Sequence, residues 1–338
     1  MLNYILRRLL QLPLVLLGIS FLIFAVMQFL PPAVRASAYI QNDKQMGALP
    51  ALIQQYGLDR DVFTQYFAWL GQVFRGNLGW SGSVSEPVLQ AMQTRLPATI
   101  ELALLTFVCT VILGVGLGLI AGARRGTWVD QAIRLYSVVT WTLPTFVLAI
   151  FILAYFYGKL RWWPPGRIDN LLAITEGIPS VNGFLLLPAI LRGQWEVVGD
   201  LLRHLMGPVL TITIVACGGL VQIVRANVIE QVRQDYVRTA RAKGLPETLI
   251  LRKHVLRNVM IPVVTWIGGL LFGLLSGATI AETVFNYPGV GLWVTKAATV
   301  SDTAAVVGFA LFSATVIAVV NLIVDLLYAV IDPRVSYS

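Results

Sequence analysis

Tyr236-Val237-Arg238-Thr239-Ala240-Arg241-Ala242-Lys243-Gly244-Leu245 lies within a basic segment, residues 225–262, that separates two long uncharged apolar runs. Eight residues of that segment are cationic: Arg225, Arg233, Arg238, Arg241, Lys243, Arg252, Lys253 and Arg257. Gly244 supplies the left-handed position that ends a helix, and Pro246 cannot continue that helix but can begin the next. The segment therefore predicts one helix through Val228–Lys243 and a second from about Glu247 to Val259. Leu251, Val255, Leu256, Val259 and Met260 share one arc of the second helix, with Lys253, His254 and Arg257 opposite. That pattern suits an amphipathic helix lying under a membrane, with Pro262 marking entry to the next span. Two short helices joined at a glycine make a rigid elbow, suited to passing on force.

Outward from the elbow, composition sets the class. Only 12% of the chain is charged and 57% is apolar, against about 25% charged in soluble domains. Six runs are long enough to cross a bilayer as helices: roughly Leu9–Leu30, Leu102–Gly122, Leu135–Gly158, Leu205–Val224, Val263–Ala281 and Thr303–Val324. None contains Asp, Glu, Lys, Arg or His. The first run is too long for a signal-peptide core and lacks a small-residue cleavage site, so a retained helix is expected. Short loops on the elbow side are dense in Arg and Lys, which places that side and both termini in the cytoplasm. The net charge of +8 then reflects topology, and no nucleic-acid partner is expected. The chain divides into residues 1–30, the N-terminal end and first helix; 31–96, a small outer segment; and 97–338, a core with an outer loop at 159–204 and the basic loop at 225–262.

In the outer segment, Gly57 should end a helix, and Phe63–Phe74 reads as a second amphipathic stretch. Trp162-Trp163 suits an interfacial anchor. Phe184–Leu191 is too short to span. Glu101, Glu282 and Asp325 stand at span edges, where capping or interhelical hydrogen bonding outweighs substrate contact as their expected role. Cys109 and Cys217 fall inside spans and suit packing rather than a disulfide. His204 and His254 have no metal-ligand partners at a recognisable spacing. Candidate substrate-path residues are Glu282, Asp302, Trp141 and Pro144. The chain carries no Gly-x-x-x-x-Gly-Lys-Ser/Thr loop to cradle a nucleotide, so no cofactor is expected on it.

The basic elbow resembles the signature of ABC-importer permeases, in its dipeptide/oligopeptide/nickel form. The general Glu-Ala-Ala…Gly motif falls on Arg238, Thr239, Ala240 and Gly244. Further similarity runs through Met1–Leu10, Tyr56-Gly57-Leu58-Asp59, His254-Val255-Leu256-Arg257-Asn258 before Ile261–Thr265, and Ala281–Phe285. It continues through Pro288-Gly289-Val290-Gly291, Asn321–Tyr328 and Asp332-Pro333-Arg334. Departures stand at Pro31-Pro32-Ala33-Val34 and Ser301–Val306, both on the outer face. The resemblance implies an all-α membrane protein of six transmembrane helices, the type I ABC-importer permease fold, moving di- and oligopeptides inward by alternating access. It implies that Asp235, Tyr236, Arg238, Thr239, Ala240, Arg241, Ala242, Lys243, Gly244 and Leu245 couple to two separate ATPase subunits, which hold ATP and Mg. A second homologous permease, an extracytoplasmic substrate-binding protein and a bacterial inner membrane are the other implied surroundings. Nickel, heme or glycoside cargo belongs to the same class. An ion-coupled secondary transporter is the competing class, which the uncharged span centres argue against.

Overall fold

The computed structural model describes residues 2–40, 47, 49–177, 180–275 and 278–331; the closing Asp332-Pro333-Arg334 motif lies outside them. The regular structure of the described chain is helical apart from one two-stranded ribbon and an isolated antiparallel bridge between Val181 and Phe184. In order run α1 (Leu2–Met27), α2 (Pro32–Ser37), α3 (Leu49–Gln55) and α4 (Val62–Phe74), then β1 (Trp80–Ser81) paired antiparallel with β2 (Glu86–Pro87). There follow α5 (Val88–Ala123), α6 (Trp128–Thr142), α7 (Thr145–Ile152, widening into a π-helix over Leu153–Lys159), α8 (Asn170–Thr175) and α9 (Leu186–Leu191). The remainder comprises α10 (Trp195–Gln231), α11 (Asp235–Ala242), α12 (Glu247–Leu249), α13 (Leu256–Leu275), α14 (Thr279–Val284), α15 (Val290–Thr299) and α16 (Thr303–Ile331).

Five segments are long and apolar enough to span: Leu6–Met27, α5, α10, Pro262–Val284 and Thr303–Leu326. The third expected span is not one rod. It is α6 and α7, meeting at 99° across Leu143-Pro144. Proline has no N–H to continue α6, and its ring drives the preceding residue out of the helical region; Leu143 is extended at φ −74°, ψ 124°. Counting the bent pair once gives six crossings.

Close backbone approach holds the centre together. Gly114, Gly118 and Gly122 of α5 recur every four residues, so they form one stripe. A Cβ on them would come within 2.6, 2.5 and 2.6 Å of Leu220, Val224 and Val228 of α10. Apolar burial gives little drive between helices in lipid, where tight packing of small residues takes over. The stripe therefore makes α5 and α10 the central pair. Both run on past the apolar cores expected for them, so the 96/97 boundary falls inside α5 and the loop from Lys159 ends at Gln194.

The segment after α1 folds back on it. Asp61 caps α4 by accepting from the Thr64 N–H at 3.0 Å. The Tyr66 hydroxyl lies 2.9 Å from Ser20 Oγ and also reaches the Leu17 carbonyl. Leu17 sits about 15 Å before the end of α1 at 1.5 Å per residue, so α4 reaches alongside the first span. Phe63, Phe67 and Phe74 stay exposed along its flank.

Both expected elbow helices are corrected. The first is broken: α10 ends at Gln231, a turn occupies 232–234, and α11 starts at Asp235 after an extended Gln234. The second does not stop at Pro262. Helical backbone runs from Glu247 through a π-helical stretch at Ile250–Val255 into α13, with Pro262 inside. The amphipathic stretch is thus the base of the fifth span rather than a separate surface helix.

Candidate functional site

Gly244 sits at φ +74° in a turn whose hydrogen bonds are those of a Schellman motif. The Leu245 N–H donates to the Ala240 carbonyl at 3.3 Å, and the Gly244 N–H to that of Arg241 at 2.9 Å. Val237 and Ala240, one helical step of three apart, face inward. They join a cluster of Leu220, Val224 and Val228 from α10 with Ile250, Val255, Val259 and Val263 from the fifth span. Every other α11 residue is exposed: Asp235, Tyr236, Arg238, Thr239, Arg241 and Ala242. Burying Val237 is worth about 2 kcal/mol. The elbow is therefore anchored to two spans by a narrow apolar stripe and presents a polar, cationic face outward.

Two polar braces hold its angle. Arg241 Nε donates to Glu247 at 2.6 Å and its Nη2 at 3.2 Å, bridging across Gly244. The hydrogen bond from Arg241 holds the Glu247 carboxyl below its usual range. Both side chains are exposed, so the pair contributes about 0.5 kcal/mol, chiefly as geometry. The Tyr236 hydroxyl donates to Gln231 Oε1 at 2.8 Å and accepts from Asn258 Nδ2 at 3.0 Å, linking α11 to the end of α10 and to α13.

Of the four expected path residues, two stand exposed at the α6–α7 bend. Trp141 lies over Gly219, whose Cβ would meet the indole at 2.5 Å, and leaves half its surface open. Pro144 is exposed at the break. Beside them an apolar groove of about 350 Å³ opens between α7, α10, α13 and α14, lined by Thr145, Ile212, Leu270 and Ile280. Glu282 is fully buried; its carboxylate accepts from Thr99 Oγ1 at 2.7 Å and the Leu292 N–H at 2.9 Å near the start of α15. Asp302 accepts from Ser81 Oγ (2.6 Å) and the Ser83 N–H (3.0 Å), and caps α16 through the Ala305 N–H (3.1 Å). Burial pushes the Asp302 carboxyl up, but these hydrogen bonds outweigh it and hold it below the usual carboxylate range. The other span-edge acids are also engaged. Glu101 accepts from Arg167 at 2.8 Å and from the Leu185 and Leu186 N–H groups, while Asp325 pairs with Arg8 at 3.2 Å.

The family described as binding-protein-dependent transport system inner membrane component matches residues 114–337, and its N-terminal companion matches 1–103. This chain belongs to that family. The permease is 37% identical over 327 residues, 96% of it and 94% of the relative, to a probable D,D-dipeptide transport system permease of Escherichia coli K12. It is 31% identical to a dipeptide transport system permease of Alkalihalophilus pseudofirmus and 33% to a di/tripeptide transport system permease of Pseudomonas aeruginosa, over the full length of every chain.

One structural feature of the permease escaped the sequence reading. Asp130, at the start of α6, accepts two hydrogen bonds from Arg225 of α10 at 2.6 and 2.9 Å and a third from the Gly126 N–H at 2.9 Å. This fork, with Asp130 buried and Arg225 partly exposed, pins the start of α6 to α10 less than two turns before α10 ends at Gln231. An acid in the first turn of a helix, just after a short loop rich in arginine, was the available signal. Asn258 lay in the quoted resemblance, but its bond to Tyr236 joins residues 22 apart. Among the described residues no group of acidic, His or Cys side chains is arranged to hold a metal.

Proposed function

We propose that this permease forms half of the membrane pore of an ATP-driven importer of short peptides, and that α11 with Gly244 is its joint to a separate ATPase subunit. The peptide cargo rests on the names of the relatives. The joint rests on one observation: a capped, two-span-anchored helix turns its polar face away from the protein while Gly244 has nothing within 4 Å of the site of a Cβ. Asp235, Tyr236, Arg238, Thr239, Arg241, Ala242 and Lys243 would meet the ATPase, with Ala240 and Leu245 seating the turn. Val237 and Ala240 share a cluster with α10 and the fifth span, so displacement of the elbow passes to both. The face bearing Trp141 and Pro144, beside the apolar groove, is the proposed half of the substrate path. Glu282 and Asp302 serve as buried posts, the first joining Thr99 to α15 and the second joining residues 81–83 to the start of α16. A second homologous permease supplies the other half, two ATPase subunits supply ATP and Mg chemistry, and an extracytoplasmic binding protein delivers cargo. The setting is the bacterial inner membrane, with the elbow and both termini cytoplasmic.

Reconstitution of all these subunits in liposomes tests the reading. Labelled dipeptide should accumulate only with ATP, and Gly244→Val should abolish uptake and ATPase stimulation while the permease still inserts. Uptake that persists without the ATPase subunits, or full coupled uptake by Gly244→Val, overturns it.

A further inference from the structure

Arg35 is buried, at 6% exposure, without a carboxylate partner among the described residues. Its Nη1 donates to two neutral acceptors, Gln28 Oε1 at 2.7 Å and Gln65 Oε1 at 2.6 Å. Gln65 in turn donates to the Arg60 carbonyl at 2.6 Å, so the amides are oriented by the backbone rather than by an acid. Among the described residues, Arg35 Nε has no partner. A buried charge is retained when paired or fully hydrogen-bonded, and an orphaned donor on it is costly. Arg35 lines a cavity of about 160 Å³ between α1, α4 and the end of α3, and Arg60 lines the same cavity. Gln54, Gln55, Gln72 and Thr64 add polar wall; no Asp or Glu among the described residues does.

We propose that this cavity is an oxyanion site that takes one phosphate group, with Arg35 as the buried fork and Arg60 as the second cation. Planar guanidinium donors match phosphate oxygens, and binding there satisfies the orphaned Nε. The surroundings favour a phospholipid headgroup as the source. Phe63, Phe67 and Phe74 leave α4 with an exposed aromatic face. The same two helices, α1 and α4, join α16 around an apolar groove of about 420 Å³ lined by Leu16, Leu17, Leu70 and Leu311, walls suited to an acyl chain. The free counterpart of the same chemistry is inorganic phosphate from solution.

The full-length permease, embedded in nanodiscs of mixed phosphatidylglycerol and phosphatidylcholine, is released for native mass spectrometry, and the delipidated chain is titrated with inorganic phosphate. Phosphatidylglycerol should be retained in preference to phosphatidylcholine. Arg35→Gln and Arg60→Gln should each weaken retention roughly tenfold or more, the loss of a charge-assisted contact. Arg60 is exposed, so its variant folds even if Arg35→Gln does not. Phosphate-dependent thermal stabilisation that Arg60→Gln reduces, with no lipid preference, assigns the site to the free anion. Absence of both effects in the wild type, or effects untouched by the Arg60 variant, overturns the site.

Discussion

At the scale of single residues, Gly244 separates conformation from contact. Nothing within 4 Å would touch a Cβ there, yet φ is +74°. Within this chain, the cost of substitution is therefore backbone strain, about 1–2 kcal/mol for a β-branched residue. Gly244→Asn should keep more coupled uptake than Gly244→Val, because asparagine tolerates the left-handed region; equal loss in both would assign the effect to contacts made with a partner. Asp302 carries a pH dependence. Its folded carboxyl titrates below the ordinary 3.8, so its contribution is complete above that value and is lost as pH falls through the lower folded value. Acid unfolding should be shallower in Asp302→Asn than in the wild type across that window. Asp302→Ala should also cost about 1–2 kcal/mol at neutral pH through the lost cap on α16.

Among elements, the α5–α10 pair and the base of the elbow carry most of what a substitution can break. Gly118→Ala places a Cβ 2.5 Å from that of Val224, whereas the site at Gly116, two residues away on the same helix, has nothing within 4 Å. Overpacking predicts a loss of about 1–3 kcal/mol for the first, and the second should be neutral or stabilising, since alanine is the better helix former. Thermal unfolding of the two variants in detergent checks the contrast. Asp130→Asn should cost about 3 kcal/mol, because it leaves Arg225 half-sheltered beside a neutral partner. The double variant Asp130→Leu with Arg225→Met should recover much of that stability, and if it also recovers transport, the fork is a fastener rather than a conductor of motion.

For the whole molecule, orientation is the decisive prediction. With Cys109 and Cys217, both free thiols, replaced by serine, Lys243→Cys should react with a membrane-impermeant maleimide in inverted vesicles and not in right-side-out ones. The reverse pattern puts the elbow outside and ends the coupling proposal. Much of this architecture is legible in the linear chain, because a bilayer punishes unpaired backbone and charge so heavily that apolar runs must be spanning helices. The chain alone likewise set the stop at Gly244, where a glycine followed by Leu245-Pro246 leaves few alternatives. Three other features depended on neighbours far along the chain. The bend at Leu143-Pro144 was written as a proline within an apolar run, a signal that ends some helices and merely kinks others. Where α10 stops and α11 begins was set by how Val237 and Ala240 seat on both spans, which no local propensity encodes. The pairings Asp130–Arg225, Glu101–Arg167 and Glu282–Thr99 join residues 95, 66 and 183 apart. Sequence determined which segments cross the membrane and where the elbow turns, since those follow from local transfer cost and backbone sterics; only the tertiary structure decided which charges are neutralised, by bringing together groups that share no periodicity.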